Sequence, residues 1–191
     1  MHYQAECWFP SVIHFIGTEL NQEIKSFCLQ EYKRDSVGNS LTNRGGWQSQ
    51  PMYHDNIITK FLYEIFDNTI HHTFKNRFAI SNHWINVNQP TTYNVIHRHP
   101  NSVLSGVYYI QTPNNSGNIF FENPHMFESF SELNSYKEEE QGFFHQHSLK
   151  YCKPEEGLLI LFPSHLAHGV QPNNSKEDRI SISFNTQLSN E

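Results

Sequence analysis

Only three cysteines occur in 191 residues, Cys7, Cys28 and Cys152, an odd number with no C-x-x-C pair. Such scattered thiols exclude a disulfide framework and a thiolate zinc site, and they suit a reducing, cytoplasmic compartment. Basic residues are few as well: 13 Lys and Arg stand against 19 Asp and Glu, for a formal net charge of −6, and they form no run. The chain therefore lacks the electrostatic footprint of a protein that grips a nucleic-acid backbone. Nothing approaches the roughly 18 consecutive apolar residues of a membrane span. The opening "MHYQAECWFPSVIHFIG" has neither the basic start nor the unbroken apolar core of a secretory signal. Repeats, low-complexity tracts and linker-like stretches are missing too, so residues 1–191 are expected to form a single domain. No such pattern speaks to oligomeric state, and a homo-oligomer stays open.

Aromatic residues and histidines are what the chain has in quantity: 15 Phe, 9 Tyr and 13 His. Phe and Tyr fill interiors, and imidazole is the commonest transition-metal ligand near neutral pH. Residues 1–76 read as the helical part. A first helix is expected from a cap-like Thr18 to about "RDSVGNS", because Leu20, Ile24, Phe27 and Cys28 share one face at helical spacing. After the Gly-rich loop "SLTNRGGWQSQPMY", a second helix is expected from a cap at Asp55, with Ile57, Ile58, Phe61, Leu62, Ile65 and Phe66 as its apolar stripe. From about residue 77 to 191 the pattern changes to eight short β-rich runs broken by Asn, Pro and Gly turns: "FAISNHWINVN", "YNVIHRH", "VLSGVYYIQT", "GNIFFEN", "FFHQHSLKYC", "GLLILFP", "LAHGVQP" and "RISISFN". Two helices followed by many short strands predict an α+β, mainly β fold, a sandwich or jelly roll with the N-terminal helices packed on one sheet. Residues 124–142, which include Glu138 to Glu140, are the most acidic and read as a solvated, lid-like excursion.

In "NVIHRHPNSVLSGVYYI", residues 94–110, two histidines stand one residue apart at a strand mouth. On an extended backbone His97 and His99 point to one side and Arg98 to the other, which suits chelation of one cation. Polar positions facing solvent explain such a pair equally well, and "FFHQHS" supplies a second, His145 and His147. A third candidate ligand, His168, follows the corner at Pro163. It stands as far before the Asn173–Asn174 turn as Arg179 stands after it, so His168 and Arg179 are expected to face each other across a hairpin. An arginine buried beside a metal-binding histidine needs an anion. A dicarboxylate chelating the metal at one end and paired with Arg179 at the other would provide it, with Ser181 adding a hydroxyl. The simpler reading of Arg179 is a surface ion pair with Glu177 or Asp178.

The C-terminal stretch resembles the distal-histidine motif of the 2-oxoglutarate and Fe(II)-dependent oxygenases, with His168 as the distal ligand and Arg179 and Ser181 as the R-x-S pair. More narrowly, "GGWQS", "WINVN", "HRHPNSVLSGVYYI" and "LFPSHLAHGVQPN...RISISFN" together resemble a small branch of these oxygenases found in bacteria and tailed phages. The resemblance implies a double-stranded β-helix, a cupin-like distorted jelly roll, with Fe(II) at one mouth of the barrel. It implies 2-oxoglutarate and O2 as cosubstrates, decarboxylation of 2-oxoglutarate to succinate, hydroxylation of an unidentified substrate, and a site in the cytoplasm of a bacterial cell or phage-infected host. It also exposes a departure. The wider superfamily uses H-x-D or H-x-E plus a distal histidine, and this chain has His99 where the carboxylate belongs.

Three completions of the site follow: His97, His99 and His168 together; His97 and His168 with an exogenous ligand; or Glu122 recruited as the carboxylate. The motif selects His168 over its neighbour His165. Asn94 and Tyr109 join Arg179 and Ser181 as candidate cosubstrate contacts, with Asn86 and Asn118 as further amides and Tyr108 as core. Trp47 and Trp84 suit either a core or a substrate pocket. Two other readings compete with the oxygenase: a cupin-like metalloenzyme that does not use 2-oxoglutarate, and a non-catalytic jelly-roll binding or structural protein.

Overall fold

Side-chain amides set where each of the two helices begins. The computed structural model describes Gln4 and residues 10–69, 78–125 and 148–189. Helix α1 spans Gln22–Arg34, capped by Asn21, whose side-chain oxygen accepts from the Glu23 and Ile24 amides at 2.9 and 3.2 Å. Thr18, the expected cap, is occupied elsewhere: its hydroxyl donates to the Gly157 carbonyl at 3.0 Å and lies 3.1 Å from the Tyr108 hydroxyl. Helix α2 spans Ile57–Thr69, and its cap is Asn56 rather than Asp55, with Asn56 Oδ1 accepting from the Ile58 and Thr59 amides. Both apolar stripes are buried as their spacing predicts: Ile24 and Cys28 on α1, and Ile58, Leu62 and Ile65 on α2.

Eleven strands follow or flank these helices among the described residues. Three lie in the N-terminal part: β1 (His14–Gly17), β2 (Asn43–Arg44) and β3 (Trp47–Gln48). The other eight coincide with the eight expected runs: β4 (Phe78–Asn88), β5 (Tyr93–His97), β6 (Leu104–Gln111), β7 (Ile119–Glu122), β8 (Leu149–Cys152), β9 (Leu158–Pro163), β10 (His168–Val170) and β11 (Arg179–Leu188). Most of the acidic excursion, residues 126–142, and with it Glu138 to Glu140, lies outside the described residues, as do His145 and His147. The first three strands escaped prediction because runs of two to four residues carry no usable periodicity.

The strands form two antiparallel sheets, one ordered β1-β9-β6-β11-β4-β3 and the other β2-β5-β10-β7-β8. Both faces of the first sheet are used. Ile85 and Val87 of β4, Tyr108 and Ile110 of β6, and Ile180, Ile182 and Phe184 of β11 pack outward against the helices. Alternate positions, such as Val107, Tyr109, Ile160 and Phe162, turn inward toward Ile119 and Phe121 of the second sheet. This is the jelly-roll architecture, with helices covering one sheet.

One expectation about register fails. Strands β10 and β11 do not pair: β10 lies between β5 and β7 in one sheet, and β11 lies between β4 and β6 in the other. The Asn173 turn carries the chain across from sheet to sheet. Its side chain donates to the Asn88 and Glu177 carbonyls at 2.8 and 2.7 Å, which pins the crossing. His168 and Arg179 still share a cavity, but from opposite walls.

Candidate active site

The inward face of this sandwich is polar where the sequence alternates. On β11, Arg179, Ser181 and Ser183 line one cavity while Ile180, Ile182 and Phe184 face the helices. On β4, Trp84, Asn86 and Asn88 do the same opposite Ile85 and Val87. The second sheet supplies the facing wall. His168 on β10 pairs with His97 on β5, whereas Val170 pairs with Asn94, so Gly169 alone stands opposite Val95 and Ile96. That bulge shifts the side-chain parity, and both Asn94 and His97 face inward although they are three positions apart. The cavity between the two walls is narrow, about 50 Å³.

Three imidazoles converge in it. Ring centroids lie 4.4 Å apart for His97 and His168, and 5.0 Å apart for His99 with each of them. Their nearest ligand atoms all lie within 4.8 Å of one another. Arg98 is exposed and donates to the His165 carbonyl at 3.1 Å, on the other side of the strand as alternation requires.

The hydrogen bonds fix which nitrogen faces in. His97 Nδ1 lies 2.8 Å from the Val95 carbonyl, and His168 Nδ1 lies 2.9 Å from the Leu166 carbonyl. A carbonyl oxygen can only accept, so both Nδ1 atoms carry the proton and both Nε2 atoms offer a lone pair. His99 Nδ1 reaches Asn185 Oδ1 at 2.5 Å with the same consequence. Burial keeps the rings neutral: desolvation lowers all three pKa values, to about 4 for His99 and about 3 for His168, where the neighbouring His97 adds to the effect. Three neutral nitrogens, each with its other N–H held by an oxygen, are the donor set of a divalent transition metal. No carboxylate joins them among the described residues. Glu122 cannot: on β7 the inward positions are Ile119 and Phe121, whereas Glu122 has the opposite parity and is paired with Leu149. His165 is exposed and is not part of the group.

Deeper in the cavity Arg179 is 2 % exposed. Its Nη1 donates to the carbonyls of Ser116 and Gly117, and no carboxylate pairs with it among the described residues, neither Glu177 nor Asp178. Gly117 holds φ at +86°, and a side chain there would run into the Gln171 and Pro172 carbonyls, so a glycine is needed to present those acceptors. Desolvation lowers the Arg179 pKa to about 10, which still leaves a cation at neutral pH. Burial pushes the pKa of the Tyr109 hydroxyl up, so it stays protonated and uncharged in the same cavity.

The cavity gathers His97, His99, His168, Arg179, Ser181, Asn94, Tyr109, Asn86 and Trp84 from the sequence-derived candidates. Asn118 and Tyr108 are not in its lining, and Trp47 packs at 5.0 Å on Tyr32 in the helix-side core. Residues that sequence reasoning passed over are Thr42, Asn88, Ser183 and Asn185. Asn94 accepts from Asn88 at 3.1 Å and donates to Thr42 at 3.3 Å, and Asn86 donates to Ser183 at 3.0 Å. The polar alternation R-I-S-I-S-F-N was the available signal for Ser183 and Asn185.

A family model described as "Putative 2OG-Fe(II) oxygenase" matches residues 82–185, which is more than half of the chain. No curated protein sequence matches it. Solved structures resemble it in fold. A prolyl-4-hydroxylase of Pseudomonas putida superposes with a TM-score of 0.61 at 14% identity, covering 94% of this chain and 92% of that one. HygX of Streptomyces hygroscopicus, with nickel and 2-oxoglutarate bound, gives 0.63 at 10% identity, covering 92% and 82%. A prolyl hydroxylase of Trichoplax adhaerens, in complex with a peptide of hypoxia inducible factor, gives 0.63 at 15% identity, covering 93% and 83%.

Proposed function

The chain belongs to the 2-oxoglutarate/Fe(II) oxygenase family, and from that premise we propose that His97, His99 and His168 hold the Fe(II) while Arg179 and Ser181 hold the far carboxylate of 2-oxoglutarate. The observation that carries this reading is the buried Arg179 cation, without an anionic partner among the described residues, in the same cavity as three inward-facing neutral imidazoles. A dianion spanning the two would satisfy both, because a buried charge left unpaired is costly. Asn94 and Tyr109 line the space between and offer an amide and a hydroxyl to the cosubstrate. Bound Fe(II) would supply the redox chemistry of the family, in which O2 and 2-oxoglutarate yield succinate and carbon dioxide as a substrate is oxidised, here by hydroxylation.

The work of the chain itself is ligation, orientation and exclusion of water. With His99 in place of the superfamily's carboxylate, the site carries one more unit of positive charge, and the incoming dianion is correspondingly more strongly attracted. The "GGWQS" and "WINVN" blocks that suggest the bacterial and phage branch lie side by side, since Trp47 and Gln48 pair with Val87 and Asn86. We also take residues 1–191 as one domain at work in the cytoplasm, a reading supported by the buried free thiol of Cys28. No helix among the described residues is long and apolar enough to cross a membrane.

Succinate formation tests the proposal. The wild type should convert 2-oxoglutarate aerobically only with Fe(II), and His168→Ala should abolish the turnover. Metal binding without any 2-oxoglutarate binding would point instead to the cupin-like metalloenzyme, and binding of neither to a non-catalytic jelly roll.

A further inference from the structure

We propose that Asn185, seconded by Ser105, is the positioning residue that makes His99 a metal ligand; this rests on reading His97, His99 and His168 as the metal site. The other two histidines orient themselves locally, each ring bonding a carbonyl two residues back in its own chain, Val95 for His97 and Leu166 for His168. His99 has no such local device. It lies beyond the end of β5, tied by its backbone amide to the Ser164 carbonyl at 3.1 Å. Its ring acceptor comes from a residue 86 positions away, Asn185 Oδ1 at 2.5 Å.

Asn185 is itself held from both sides. It sits on β11 opposite Asn82 of β4 and Ser105 of β6. Its Nδ2 donates to Asn82 Oδ1 at 3.0 Å, and its Oδ1 accepts from the Ser105 hydroxyl at 2.7 Å. Ser105 is fully buried, 2.7 Å from the Ser164 hydroxyl and 3.0 Å from His99 Nδ1. With Nδ2 committed to Asn82, the amide oxygen is what His99 meets, so His99 must keep its proton on Nδ1 and its lone pair on Nε2. Outer-shell acceptors of this kind fix tautomer and ring orientation in metal-ligating histidines. Here a neutral amide does so without adding negative charge.

Cobalt(II) affinity and the visible spectrum of the Co(II)-loaded protein test this without turnover. His99→Ala should weaken Co(II) binding by tenfold or more. Asn185→Leu, similar in shape but with no acceptor, should weaken it by roughly 10–100-fold and alter the Co(II) spectrum. Asn185→Asp, which can only accept, should stay within about threefold of wild type. In the His99→Ala background, Asn185→Leu should add no further loss, because the residue acts through His99. Wild-type affinity in Asn185→Leu, or losses that simply add in the double variant, would overturn the proposal while leaving the three-histidine site standing. Wild-type affinity in His99→Ala would overturn both. Should Asn185→Leu fail to fold, Ser105→Ala takes its place in the cycle, with a smaller loss that again vanishes in the His99→Ala background; an undiminished loss there counts against the proposal.

Discussion

Arg179 is a fully buried guanidinium that no carboxylate neutralises among the described residues, and such a residue is expected to serve a ligand rather than the fold. Arg179→Met should therefore leave the stability of the ligand-free protein unchanged or raise it by about 1 kcal/mol or more, since well-packed apolar replacements of buried charges are often neutral or favourable. The same change should weaken 2-oxoglutarate binding by two orders of magnitude or more, the cost of removing a charge-assisted bidentate partner. Urea denaturation and calorimetry report the two effects separately. That His97, His99, His168 and Arg179 share one cavity was expected from the sequence, although the hairpin expected to bring His168 opposite Arg179 is absent. Asn185 was not: its meeting with His99 depends on which strands become neighbours, and the assumed β10–β11 hairpin hid that. The N-caps show the same limit on a smaller scale, where Asn21 and Asn56 took positions three and one residues beyond those read from Thr18 and Asp55.

Among the elements, β11 carries the division between site and support, and its alternation was legible even though its partners were not. Gly106 on β6 lies directly under the Phe184 ring, which is fully buried, and a methyl group there would overlap the ring. Gly106→Ala should thus destabilise by about 1–3 kcal/mol, as overpacking does, seen as a lower urea midpoint at unchanged slope. At the head of α2, Asn56 Nδ2 donates to Nε2 of the buried His83 at 2.9 Å. Burial chiefly, with His54 adding and Asp55 opposing, lowers the His83 pKa to about 4. The unfolded imidazole, near 6.5, binds the proton first as pH falls. The contribution of His83 is therefore fully present above about pH 6.5 and is lost as pH drops toward 4. His83→Gln should flatten the pH dependence of unfolding in that window, compared with wild type at matched ionic strength.

For the whole molecule, two sheets close on a cavity that presents three neutral imidazoles and a guanidinium without a carboxylate partner among the described residues, and stability should report the arrival of ligands there. Saturating metal and 2-oxoglutarate at about 100 times their dissociation constants should each add roughly 2.7 kcal/mol to unfolding, read as a rise in melting temperature that Arg179→Met abolishes for 2-oxoglutarate alone. The architecture was legible at this scale because eight alternating runs after two amphipathic helices leave few alternatives to a jelly roll. The sheet assignment was not, since the Asn173 crossing looks in sequence like an ordinary hairpin turn. The most direct test of the central claim is an anaerobic calorimetric titration of 2-oxoglutarate into Fe(II)-loaded protein, alongside the metal-free protein and Arg179→Met. One saturable site that requires both the metal and Arg179 is the predicted result. Equal binding without metal or in Arg179→Met, or no binding at confirmed iron occupancy, would contradict it.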